Sequence, residues 1–426
     1  MIDHRLTHRI LIALGLGVII GLILHATSSE GDWVNIWFVN GLLLLIGKWL
    51  IALLMLLVVP LVLVSLIKGI GSLADTAQLG KISTWTISLY LATTAIAIAT
   101  GLLFAWMVAP GQGMGLVVSA QASTTPAPSM MQMLIEFVPN NFFKPMVEGN
   151  MLQVIVIAIL FGVGLSMINR EQPAPNLIQW LDEADRLMLK LISLVMLFVP
   201  IGVFALMARS IANLGLDLFI PLMSYALVLI TALFFHGLIT YGVLLNRLTG
   251  VSPLSVFKVL KPMWLFSFST ASSAATIPVT LNTCDRLGIS SKLSSFSIPL
   301  GATVNMDGTA IMQGVATVFI ANAYGITLLP VDYVMILLTA TLASIGTAAV
   351  PGAGLIMLTM VLTQVGLPVE GIALILGIDR LLDMLRTSVN VTGDVIVSYI
   401  VAHKLNLFVE PSQQTLTDQQ SNNLLR

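Results

Sequence analysis

The stretch Asp379-Arg-Leu-Leu-Asp383-Met-Leu-Arg386-Thr-Ser-Val-Asn390-Val-Thr-Gly-Asp394 decides how this chain must fold. It holds three carboxylates and two guanidiniums in a protein where charged residues make up only 9%. At about 100° per residue on an α-helix, Asp379, Asp383, Arg386, Asn390 and Asp394 fall within roughly an 80° stripe. Facing lipid, a lone charge at mid-depth costs at least about 2.5–3.5 kcal/mol, so the stripe has to line a protein-enclosed cavity that holds something charged. The alternative is a solvated face of a soluble helix, and the surrounding chain argues against it.

Of the 426 residues, 57% are hydrophobic and the mean hydropathy is +0.98, far too apolar for a soluble protein of this length. The apolar runs are continuous, not alternating, which implies a polytopic helical membrane protein and not a closed barrel. A net charge of −1 gives no hint of nucleic-acid binding, and the single cysteine, Cys284, excludes an internal disulfide and reads as structural. The N-terminus (Asp3, Arg5, Arg9, then Ile10 to Leu24) resembles a signal peptide, but Asp3 and the lack of a convincing cleavage site favour a retained first span.

Spans are expected at 7–26, 37–70, 81–109, 130–168, 177–212 and 217–247. Several exceed the ~20 residues needed to cross, so they should tilt or break. Arg5, Arg9, Lys68, Lys81, Arg170, Arg247, Lys258, Lys261 and Lys404 fall on one side, while the opposing loops 27–36, 110–129 and 324–331 lack Lys and Arg. The positive-inside rule then makes both termini cytoplasmic, with Arg209 an exception.

After residue 250 the pattern changes. An apolar segment at 267–283 is interrupted by a Ser/Thr-rich run around Thr270–Thr276 and flanked by Lys258, Lys261 and Lys292, so it should turn back within the membrane. A second, about 333–368, breaks at Ser344-Ile-Gly-Thr-Ala-Ala-Val-Pro-Gly-Ala-Gly354 and should enter from the opposite side. Each precedes a long helix with polar residues, 291–325 and 369–403. Two interrupted hairpins in corresponding positions are the signature of an inverted repeat and point to a transporter's binding site. Packing kinks are the alternative.

Within Gly301-Ala-Thr-Val-Asn305-Met-Asp307-Gly308, a mid-helix aspartate beside a glycine invites local unwinding. Freed carbonyls with Asp307 would make an oxygen-only site suited to Na⁺ or another hard cation, and Asp394 with Asn390 offers a second. Otherwise these aspartates pair with basic side chains. For a solute, Asp383 can hold an ammonium and Arg386 a carboxylate, with half-helix N-termini at the hairpin tips for a second carboxylate. One ammonium and two carboxylates describe an acidic amino acid. Alternatively Asp383 and Arg386 satisfy each other, and Asp379 balances Arg380 or orders the helix. The histidines (His4, His8, His25, His236, His403) are expected outside this polar core.

The Asn305-Met-Asp-Gly-Thr309 motif, the serine-rich hairpin and the Asp379–Asp394 stretch resemble the dicarboxylate/amino acid:cation symporter family. Val59-Pro60-Leu61 and Pro200-Ile-Gly-Val-Phe204 extend the likeness over nearly the whole chain. An archaeal relative is itself a standard instance of the inverted repeat, so the repeat belongs to what the resemblance implies. The implied fold is all-α, eight transmembrane helices plus two re-entrant helical hairpins.

By position, the resemblance implies three sodium sets. One is the carbonyls of Gly301, Asn305 and Asn390 with the Asp394 carboxylate. A second is the backbone oxygens of Thr303, Ser344, Ile345 and Thr347. The third joins Tyr90, Thr93 and Thr94 to the Asn305 and Asp307 side chains. Solute contacts would come from Ser273, Thr309, Val350, Gly354, Asp383, Arg386, Thr387 and Asn390. The chain departs from the family at Ala271 and Met384, where relatives carry an arginine; Arg380 is the nearby candidate substitute. Retention of both Asp383 and Arg386 favours aspartate or glutamate over a C4-dicarboxylate or neutral amino acid, and the intact aspartates favour Na⁺ over H⁺.

The resulting expectation is a Na⁺-coupled importer of acidic amino acids in a prokaryotic inner membrane, a homotrimer working as an elevator. Its scaffold would comprise 1–70 and 130–212. The transport unit would comprise 81–109 and 217–403, and 404–426 would form a cytoplasmic tail. A channel would need a continuous polar path, and a membrane enzyme a nucleophile motif or metal cluster; neither is evident.

Overall fold

The computed structural model describes residues 4–28, 32–71, 77–116, 138–148, 151–171, 175–345, 347 and 352–409. Among these the chain is all-helical, with one isolated β-bridge between Ile289 and Phe408. The α-helices are α1 His4–Thr27, α2 Leu44–Gly71, α3 Ala77–Val108, α4 Lys144–Glu148, α5 Met151–Glu171, α6 Pro175–Leu214, α7 Phe219–Phe234 and α8 Tyr241–Thr249. They continue as α9 Pro253–Thr270, α10 Ser273–Arg286, α11 Ser291–Val304, α12 Asp307–Ala323, α13 Pro330–Ile345, α14 Ala353–Gln364 and α15 Ile372–Leu405. A π-helical segment, Val34–Leu43, leads into α2, and another, Phe235–Thr240, joins α7 to α8.

Burial runs opposite to that of a soluble protein. Ile19, Leu56, Trp106 and Leu265 are exposed, whereas Asp307, Asn305 and Arg386 are completely buried. Such a distribution suits a hydrocarbon solvent, where polar groups must be satisfied internally. Among the described residues, Val34–Leu53, Lys81–Val108 and Phe219–Thr249 are long and apolar enough to cross a bilayer, and Pro175–Ile192 with Leu197–Asn213, bent by 41°, make a fourth if the pair is one span. Pro200 lies within α6 and cannot donate to the carbonyl one turn back, which frees the backbone to bend there.

Helices α1, α2, α5 and α6 pack on one another, and α3 with α7 to α15 form a second set, touching the first mainly through α14 on α2 and α15 on α6 and α1. Small residues allow close approach in the first set: a Cβ on Gly21 of α1 would lie 2.8 Å from the Ala208 carbonyl of α6.

Each long polar-bearing region is broken where sequence placed the break. Helix α9 stops at Ala271, a non-glycine in the left-handed region (φ 47°), and Ser272 caps α10 by accepting from the Ala275 N–H at 3.2 Å. Helices α9 and α10 then pack against each other, as do α13 and α14. Gly352, with φ 81°, starts α14. One boundary differs from expectation. No helix occupies 138–143, because Asn141 accepts bonds from the Phe143 and Lys144 N–H groups and starts the helix there, at α4. The earlier part of that expected span (130–137), Val350 and most of the tail lie outside the described residues.

Candidate binding site

The α15 stripe faces inward as its spacing requires: Asp379, Asp383, Arg386, Asn390 and Asp394 are all buried, while Leu381 on the opposite face is 48% exposed. Helical side chains lean toward the N-terminus, so the Arg386 guanidinium runs back along α15. Its Nη2 lies 2.9 Å from Asp383 Oδ1 and its Nη1 2.8 Å from Asp379 Oδ1. Asp383 Oδ2 accepts from the Gly352 N–H at 3.3 Å, at the start of α14, and lies 3.5 Å from Arg380 Nη1. The structure therefore holds the internal Asp383–Arg386 pair, and Asp379 also contacts Arg386, two turns away, while the Arg380 charge acts on it as well. Two carboxylates and two guanidiniums make this cluster electrically neutral.

Helix α14 lies directly over the cluster. A Cβ on Gly354 would sit 2.9 Å from the Thr309 methyl and 3.9 Å from the Arg386 guanidinium carbon. Thr387 donates to the Asp383 carbonyl at 2.8 Å, and Asn390 Nδ2 stands 3.5 Å from Thr309 Oγ1. Thr309, Gly354, Asp383, Arg386, Thr387 and Asn390 are thus gathered. Ser273 is buried at the start of α10, which packs on α15. Beside Asp379, Arg380 and Asp383 a cavity of about 30 Å³ opens toward Ile10 and Val199, room for about one water.

The break between α11 and α12 is the second centre. Asn305 (φ −104°, ψ 75°) and Met306 (φ −104°, ψ 50°) leave the helical region, as the sequence suggested. Asn305 Nδ2 donates to Asp394 Oδ1 at 3.0 Å and to the Asn390 carbonyl at 3.3 Å, and Asn390 Oδ1 accepts from the Gly308 N–H at 2.7 Å. Gly308 is required: its Cβ would lie 2.5 Å from the Arg386 carbonyl. At Gly301 a Cβ would overlap the Asp394 carboxylate and the Tyr90 phenol.

From α3, Thr93 donates to Asn305 Oδ1 at 3.3 Å and Thr94 to Asp307 Oδ1 at 2.5 Å. The Tyr90 hydroxyl donates to the Ser297 carbonyl at 3.0 Å and lies beside Gly301. Ser344 stitches α13 to the break, donating to the Val304 carbonyl at 2.8 Å and accepting from Met306 N–H at 3.2 Å. Ile345 ends α13, buried Thr347 follows, and Thr303 sits two residues before the break. The side chains of Thr93, Thr94, Asn305, Asp307, Ser344 and Asp394 offer hard oxygen ligands, which suit an alkali cation.

One expectation fails. His236 is not outside the polar core: it is fully buried, with Nε2 3.2 Å from Asp307 Oδ2. Tyr241, unremarked in the sequence, donates to the same oxygen at 2.7 Å. His236 lies near the start of the π-helical segment and Tyr241 just past its end, and the segment shifts the helix phase between them in a way no 3.6-residue periodicity reveals.

The sodium:dicarboxylate symporter family model matches residues 6–404. The chain is 34% identical to a proton/glutamate-aspartate symporter of Escherichia coli (strain K12), covering 94% of this chain and 93% of that one. It is also 34% identical to a proton/sodium-glutamate symport protein of Bacillus caldotenax, over 93% of this chain and 94% of the relative. An excitatory amino acid transporter of Caenorhabditis elegans is 32% identical over 91% of this chain and 85% of its own.

Proposed function

Because the chain belongs to the sodium:dicarboxylate symporter family, and is therefore an integral membrane transporter and not an enzyme, we propose that it imports aspartate or glutamate by Na⁺ symport. The observation that carries this reading is the mutual Asp383–Arg386 pair under α14. A zwitterionic solute with an extra carboxylate can exchange partners with it. Its ammonium takes Asp383, its side-chain carboxylate takes the Arg386 nitrogen released, and no charge is left bare. Its α-carboxylate then meets the free N–H groups at a half-helix N-terminus. Succinate could serve Arg386 but brings no ammonium to Asp383, which would keep only Arg380 at 3.5 Å and the Gly352 N–H, and this argues against a C4-dicarboxylate.

Na⁺ is favoured over H⁺ by the assembly of Thr93, Thr94, Asn305, Asp307 and Asp394 as oxygen donors around an unwound backbone. Charge balance favours three ions. The Asp379–Arg386 cluster sums to zero, Asp307 and Asp394 contribute −2, and the cargo adds −1, so three Na⁺ neutralise the loaded site. We place two of them at Asp307 and Asp394 and the third beside Thr303, Ser344, Ile345 and Thr347. There it would hold the α13–α14 tip shut only when solute is present, so that solute and ion favour the same closed state.

Eight spans and two re-entrant hairpins (α9–α10 and α13–α14) accommodate this reading. The two packing sets serve as scaffold and moving unit, in a homotrimer with both termini cytoplasmic. Equilibrium binding of L-aspartate to the purified protein tests it: affinity should rise steeply with Na⁺, and Na⁺-independent affinity would contradict symport.

A further inference from the structure

We propose that His236 and Tyr241 are positioning residues of the cation site, fixing one oxygen of Asp307 so that the other is presented to Na⁺. The inference rests on the symport reading of Asp307 and adds two residues to it. Asp307 Oδ2 accepts the Tyr241 hydroxyl at 2.7 Å and faces His236 Nε2 at 3.2 Å, while Oδ1 points to Thr94 of α3. An ionised carboxylate only accepts, so Nε2 carries the imidazole proton. The other ring nitrogen, Nδ1, is buried and finds no partner among the described residues. Burying an unpaired polar atom is costly, and an apolar residue would avoid the cost altogether. The bond to Asp307 is what the imidazole supplies in return.

The backbone is built to deliver both donors. Residues five apart on an α-helix point about 140° away from each other, too far to meet one carboxylate. The π-helical turn Phe235–Thr240, with its i→i+5 bonding, rotates His236 and Tyr241 onto one side. Their rings pack edge to face, centroids 4.7 Å apart, which stiffens the pair. Helix α15 leaves room for the phenol at Gly393, where a Cβ would overlap the Tyr241 oxygen. With Oδ2 saturated by two donors, Asp307 offers a cation one oxygen at a fixed angle.

The test compares His236→Leu, His236→Gln and Tyr241→Phe in proteoliposomes, reading half-saturation by Na⁺ separately from maximal uptake. Na⁺-dependent thermal stabilisation of the purified proteins gives a second readout. Each lost donor should raise the Na⁺ half-saturation on the order of tenfold or more, with a much smaller change in maximal rate at saturating Na⁺. His236→Gln, which keeps an amide N–H near the Nε2 position, should restore most of the affinity. Unchanged half-saturation in His236→Leu, or failure of His236→Gln to restore it, overturns the proposal. If His236→Leu does not fold, Tyr241→Phe decides, since it removes a donor and keeps the ring; unaltered Na⁺ dependence there overturns the clamp. Absence of any Na⁺ response in the unmodified carrier would instead remove the symport reading beneath it.

Discussion

Replacing Asp383 with asparagine should convert an amino-acid site into one that no longer needs an ammonium. Asp383 is buried, accepts from Gly352 and lies 2.9 Å from Arg386 Nη2. In the partner exchange, an incoming aspartate frees Asp383 from Arg386 and re-pairs it with its own ammonium. Succinate takes Arg386 from that carboxylate without supplying an ammonium, leaving it Arg380 at 3.5 Å and the Gly352 N–H. Losing one partner of a buried, hydrogen-bonded charge pair costs about 2–5 kcal/mol, so discrimination against succinate should be roughly 30-fold to several-thousand-fold. Asp383→Asn keeps the volume and removes the charge. Aspartate should lose affinity by a similar factor, and succinate or malate should approach or pass it as a competitor. Arg386 keeps Asp379 at 2.8 Å, so the variant does not bare a buried guanidinium. Inhibition constants for succinate and L-aspartate, measured in proteoliposomes at saturating Na⁺, give the ratio directly. An aspartate-to-succinate ratio unchanged from the unmodified protein would refute the partner exchange.

Arg386→Cys should abolish competition by acidic solutes and admit small neutral ones such as serine; unchanged selectivity in a competition assay would overturn the role given to Arg386. Gly301→Ala pushes a methyl into the Asp394 carboxylate and the Tyr90 phenol, and overpacking of this kind typically costs about 1–3 kcal/mol. Thermal unfolding should show that loss, together with weakened Na⁺ stabilisation. Reversal potentials of aspartate-coupled flux should give three Na⁺ per aspartate; two or fewer would mean that one of the three charges is neutralised some other way.

Periodicity made much of this legible. The five polar residues of α15 share one face because a helix repeats every 3.6 residues, and charge in an apolar chain must turn inward. Asn305-Met-Asp307-Gly308 announced its own break, since a glycine beside a mid-helix aspartate weakens the helix where freed carbonyls are useful. Three features were hidden for distinct reasons. The Asp379–Arg386 contact depends on a long side chain leaning two turns back along the helix, beyond the i, i+3 and i, i+4 spacings that sequence reading weighs. The start of α4 depends on the Asn141 side chain capping Phe143 and Lys144, in a stretch whose Pro139, Asn140, Lys144 and Pro145 are absorbed into a longer apolar run. His236 and Tyr241 converge only because a π-helical turn alters the phase between them, and no residue type in that turn signals it.

Sodium coupling is tested most directly by loading proteoliposomes with Na⁺-free buffer and imposing an inward Na⁺ gradient at equal pH on both sides. Radiolabelled L-aspartate should then accumulate above its external concentration and leave again when the Na⁺ gradient is reversed. Accumulation driven by a pH gradient with Na⁺ absent from both sides would contradict it.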